Sequence, residues 1–87
     1  MNSNYSDKYI KLGLKIAYYR KLKGMTQEQF AEAISKSWSF IAQVESTGKI
    51  TGVSLETLFK MSEVLNVSVS KLLEDDGLDC GEDDIVI

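Results

Sequence analysis

The 87-residue chain contains no histidine and no proline, one cysteine and one arginine. Without histidine there is no Ser-His-Asp or Cys-His catalytic set, no HExxH zinc site and no imidazole ligand of any kind. A single thiol, Cys80, permits neither an intramolecular disulfide nor a thiolate metal cluster, which fits a reducing compartment. Cys80 sits among acids, which disfavour its thiolate, so it is read as a tolerated residue rather than a nucleophile. Glycine-rich phosphate loops are missing as well. Gly48-Lys49 has Gln43 where the earlier glycine of a P-loop belongs, and no GxGxxG occurs. No stretch approaches the roughly 18–20 apolar residues of a membrane span. Residues 1–9 are polar and lack the apolar run of a signal peptide. An enzyme, a metal site, a bound cofactor, a small-molecule ligand and a membrane partner are therefore not expected, and the expected location is cytoplasmic.

Charge is unevenly spread. The formal net charge is −3, which by itself argues against a phosphate-rich partner. Residues 74–87, however, hold seven acids and no base, while residues 1–73 hold all ten bases and six acids. The chain is a body of charge +4 followed by an acidic C-terminal tail of charge −7. Two parts are expected: a domain over 1–73, and a disordered tail over 74–87.

Absence of proline removes the strongest helix breaker, and apolar residues recur with a helical period. The first helix is expected over Asp7 to Lys23, with Leu12, Ile16 and Tyr19 on one face and Gly24 at the left-handed cap. Ile10, Leu14, Tyr18 and Leu22 make a second stripe, to be covered by the tail, the last helix or a partner chain. Thr26 and Gln29 have capping-box spacing and start a second helix that ends near Ile34. Ser37 caps a third helix, Trp38 to about Ser46. Ser54 caps a fourth, Leu55 to Leu65, and Ser68 a short fifth, Val69 to Leu73. Two apolar sets are assigned to the core: Phe30-Ile34-Ile41-Val44 and Leu55-Leu58-Phe59-Leu65. The fold class is all-α.

Helices two and three are short and joined by three residues, the helix-turn-helix arrangement. The residues Leu12-Gly13, Ile16, Arg20, Gly24, Thr26-Gln27-Glu28-Gln29-Phe30-Ala31, Ser37, Ile41, Val44-Glu45, Ser54-Leu55-Glu56-Thr57-Leu58 and Leu72-Leu73 occur in this order and spacing. With them the sequence resembles the lambda-repressor-like, XRE/Cro-type DNA-binding family over about Leu12 to Leu73. The resemblance implies a compact five-helix domain whose third helix enters the major groove. It makes Trp38, Ser39, Ala42 and Gln43, with Phe40 at the edge, candidates for base contact. A Gln43 amide suits adenine, and Ser39 either base type. Trp38 and Phe40 stand where the family has polar residues, and fit either thymine methyls and sugar-phosphate or a protein surface. Gln27, Ser37, Lys23, Lys36 and Lys49 are candidates for phosphate contact, with simple capping polarity the lesser alternative for Gln27. Arg20 and Glu45 are implied to form a structural ion pair. The connector 47–53 is about two residues longer than in the commonest versions of the family. This bears on whether Lys49 faces DNA or a subunit interface.

The function so implied is a sequence-specific DNA-binding transcriptional regulator. It would repress as a homodimer on a two-fold-related stretch of double-stranded DNA. A protein-interaction module that keeps the fold with weak DNA binding is the alternative, supported by the aromatic third helix and the acidic tail. On the first reading the tail tunes affinity, by competing with phosphate for the lysines or by repelling non-specific DNA.

Overall fold

A computed structural model describes residues 5–48 and 51–74. They form α1 (Ser6–Leu22), α2 (Gln27–Ala33), α3 (Trp38–Glu45), α4 (Leu55–Leu65) and α5 (Val69–Leu73), with no strand among them. Lys49, Cys80 and all of the acidic tail except Glu74 lie outside the described residues.

Hydroxyl caps set four of the five helix starts. Thr26 Oγ1 accepts from the Gln29 amide at 3.0 Å, and Gln29 Oε1 accepts from the Thr26 amide at 2.9 Å, which completes the capping box. Ser37, Ser54 and Ser68 each accept from the amide three residues on, at 3.1 Å. Each such cap contributes about 1 kcal/mol. α1 begins at Tyr5 without a side-chain cap and carries Asp7 in its first turn and Arg20 and Lys21 in its last, the charge order that the helix dipole favours. It ends as the glycine forecast. Gly24 has φ 73°, its amide bonds to the Lys21 carbonyl at 2.9 Å, and the Met25 amide bonds to that of Arg20 at 3.2 Å. The same left-handed stop recurs at Ser35 (φ 60°) and Asn66 (φ 59°).

One core joins the five helices. Leu12 and Ile16 of α1 meet Phe30 and Ala31 of α2, Ile34 just after it, Ile41 and Val44 of α3, Leu58, Met61 and Leu65 of α4, and Leu72 of α5. α3 packs against both α2 and α1, and α5 against α1 and α4. At the α1–α3 crossing the backbones nearly touch: a Cβ on Gly13 would collide with the Val44 carbonyl oxygen. No described helix is long and apolar enough to cross a membrane.

One sequence expectation fails here. Leu55 and Phe59 are not core; they are 62% and 50% exposed. The inward face of α4 runs through Leu58, Met61 and Leu65, with Thr57 also buried. Leu55 and Phe59 share a different face of the helix, one turn apart. The stripe on α1 also stays open among the described residues, with Leu14 at 50%, Tyr18 at 58% and Leu22 at 65% exposure. α5 packs on α1 beside it without covering it, so of the expected covers the last helix is ruled out, while the tail lies outside the described residues.

Because the obstacle at Gly13 is backbone, α1 and α3 must separate to admit a methyl group. Gly13→Ala is expected to cost about 1–3 kcal/mol or more. The urea midpoint should fall with an unchanged slope, whereas an unchanged midpoint would mean the crossing is looser than described.

Candidate nucleic-acid interface

α3 has two faces of unlike chemistry. Ile41 and Val44 are buried, and the carboxylate end of Glu45 lies with them at 6% side-chain exposure. The opposite face presents Trp38, Ser39 and Gln43 to solvent, with Ala42 partly covered between them. These are four of the five sequence-derived base-contact candidates, brought together on one helix face. Phe40 is the exception. It packs against the core, and the Lys36 ammonium lies 5.5 Å from its ring centroid, a cation–π contact. The Ser37 hydroxyl oxygen is engaged as the α3 cap, and its Oγ lies 3.2 Å from that of Ser39.

Beneath this face lies a polar network. Arg20 Nε donates to Glu45 Oε2 at 2.7 Å and Arg20 Nη2 to Glu45 Oε1 at 2.9 Å, a two-pronged pair. Arg20 Nη1 also donates to the Met25 carbonyl at 2.7 Å. Both partners are nearly enclosed, with side-chain exposures of 9% and 6%. Gln27 extends the network: its Nε2 donates to Glu45 Oε1 at 2.9 Å, and its Oε1 accepts from the Trp38 indole at 3.1 Å. One amide thus links the first and last residues of α3.

Sequence reasoning found the ion pair but missed this part of Gln27. The only available signal was that a carboxylate facing one arginine keeps lone pairs to spare. Nothing in the spacing says which donor takes them. Gln27 Nε2 retains a second hydrogen beyond the one given to Glu45. Lys23 and Lys36 are exposed on either side of α2, after α1 and before α3. Among the described residues no group of histidine, cysteine or carboxylate side chains is placed to hold a metal.

Comparison with known proteins adds the following. A helix-turn-helix family model matches residues 16–72. Control protein C.SmaI of Serratia marcescens is 37% identical over 67 residues, 77% of either chain. The HTH-type transcriptional regulator SinR of Bacillus subtilis is 36% identical over 64 residues, which span 74% of this chain and 57% of SinR. A solved structure of SinR, the master regulator for biofilm formation, in complex with DNA superposes with a TM-score of 0.67 at 36% identity, covering 72% of this chain and 98% of that one. The restriction-modification controller protein C.AhdI of Aeromonas hydrophila gives 0.69 at 28% identity over 78% and 98% of the two chains.

Removing one partner of an enclosed ion pair strands the other. Arg20→Ala is therefore expected to cost about 3–5 kcal/mol, and Arg20→Lys to recover only part of that, because an ammonium cannot replace the fork. Equal urea midpoints for Lys and Arg would show that charge alone matters. Trp38 is the sole tryptophan, so its fluorescence reports the Gln27 bond directly. Gln27→Ala should lower its anisotropy while the fold persists; unchanged anisotropy would mean that packing alone holds the indole.

Proposed function

Since the chain belongs to the helix-turn-helix family, whose members are DNA-binding transcription regulators rather than enzymes, we propose that it represses transcription as a homodimer bound to a two-fold-related operator. The observation that carries the reading is the division of α3, anchored through Ile41, Val44 and Glu45 and open along Trp38, Ser39, Ala42 and Gln43. In this arrangement α3 lies in the major groove. Gln43 reads adenine through its amide, Ser39 donates or accepts at a neighbouring base, and Ala42 lies against a thymine methyl. Trp38 contacts the sugar-phosphate edge, steadied by Gln27. Phe40 supports the helix from below rather than reaching a base.

Lys23, Lys36, Lys49, Ser37 and Gln27 bind phosphates. Gln27 uses the amide hydrogen not given to Glu45, so its contact is compatible with the network. Each neutralised phosphate adds about 0.9 to the salt slope, so one body binds weakly and two bind better. Half-site centres about 34 Å apart, one helical turn, suit a dimer of this kind. Occupancy of the operator is the simplest mode of repression. One observation favours a second reading, a protein-binding module: α3 exposes 54% of a tryptophan and bears no arginine or lysine.

An anisotropy titration with the region upstream of the chain's own gene, repeated over a range of salt, separates the two. Gln43→Ala should lose about 1–3 kcal/mol of discrimination at one base position. Lys36→Ala should weaken all sequences alike and lower the salt slope by about 0.9. Absence of salt-dependent binding would overturn the DNA reading in favour of the protein-binding one.

A further inference from the structure

Among the described residues nothing covers the apolar stripe on α1. Leu14, Tyr18 and Leu22 are each at least half exposed, and Ile10 extends the row by one turn. The helix that bears them presents Lys8, Lys11 and Lys21 at its surface against the single acid Asp7, while Lys15 is buried and Arg20 is held by Glu45. α5 packs beside this helix, leaving a groove of about 220 Å³ lined by Lys8, Lys11 and Leu12 on one side and Leu72, Leu73 and Glu74 on the other. The chain leaves α5 at Glu74, on the rim of that groove. Residues 75–87 follow at once. They hold six acids and no base, with apolar side chains at Leu78 and at Ile85, Val86 and Ile87.

We propose that residues 75–87 fold back onto the α1 stripe of the same molecule, their acids toward the α1 lysines and Ile85-Val86-Ile87 over the Leu14–Leu22 row. Reach is ample: thirteen extended residues span up to about 43 Å, and Lys8 to Leu22 is about 21 Å along the helix. A second copy is the poorer occupant, because two α1 faces in contact would set lysines against lysines. The acids are then held by α1 and do not lie on α3. This inference does not depend on what α3 binds, so its failure and that of the DNA reading are told apart.

Cys80 is the sole cysteine of the 87 residues and lies within the segment, so a nitroxide attached there to the whole 87-residue chain reports its position without any substitution. Amide signals of Leu14, Tyr18 and Leu22 should lose intensity selectively, and α3 signals should not. The loss should disappear with Ile85→Asp together with Ile87→Asp, and weaken at about 1 M salt, where screening acts within about 3 Å. Loss centred on α3, loss nowhere, or loss that survives the double substitution overturns the proposal. So does α1 broadening in a mixture of nitroxide-bearing chains with separate isotope-labelled, unmodified chains, since that places the segment on a second copy.

Discussion

The Arg20–Glu45 pair is the interaction on which the arrangement of the other helices rests. Burying two charges is costly unless their hydrogen-bonding capacity is met. Here Arg20 gives two donors to the carboxylate and a third to the Met25 carbonyl, and Glu45 takes a further donor from Gln27. The pair thereby fixes the end of α1, the link into α2, the first residue of α2 and the last residue of α3 at one point. Its planar geometry allows little drift, and the contact of Gly13 with Val44 removes what freedom remains at the same crossing.

Rigidity at that crossing gives α3 its value as a reading element. An eight-residue helix is too short to be stable alone. It is held by Ile41 and Val44 in the core, by the Ser37 cap and by Glu45 in the ion pair. Its outward side chains therefore sit on a platform that does not depend on them. Gln27 joins platform and surface, since one amide touches both the enclosed carboxylate and the exposed indole.

Charge and apolar surface tell a second story, away from α3. The net charge of −3 is the sum of a basic body and an acidic segment of opposite intent. Lys8, Lys11, Lys15 and Lys21 lie along α1, Lys23 and Lys36 flank α2 near α3, and Lys60 and Lys71 sit on α4 and α5. The α1 set lies beside the longest apolar row left uncovered by the described residues, Leu14, Tyr18 and Leu22. Separating these two lysine populations required the fold, because along the chain they run together from Lys8 to Lys36.

Much was legible from the residues alone. Side chains that bond locally fix the starts and stops of helices, so Thr26, Ser37, Ser54, Ser68 and Gly24 declared four helix starts and one stop without tertiary information. The ordered set from Leu12 to Leu73 marked the family, and within it the Arg20–Glu45 pair. What the sequence could not determine depends on the angle at which helices meet. Leu55 and Phe59 are as apolar as Leu58, and only the docking of α4 decides which of them faces inward. The bond between Gln27 and Glu45 joins residues 18 apart, and that between Gln27 and Trp38 residues 11 apart. Periodicity is silent at those separations. Local hydrogen bonds and helical period are properties of neighbouring residues and are written in the chain. The choice of buried face, the partners of a carboxylate and the apolar row that the described helices leave exposed on α1 arise only when five helices compete for the same small interior.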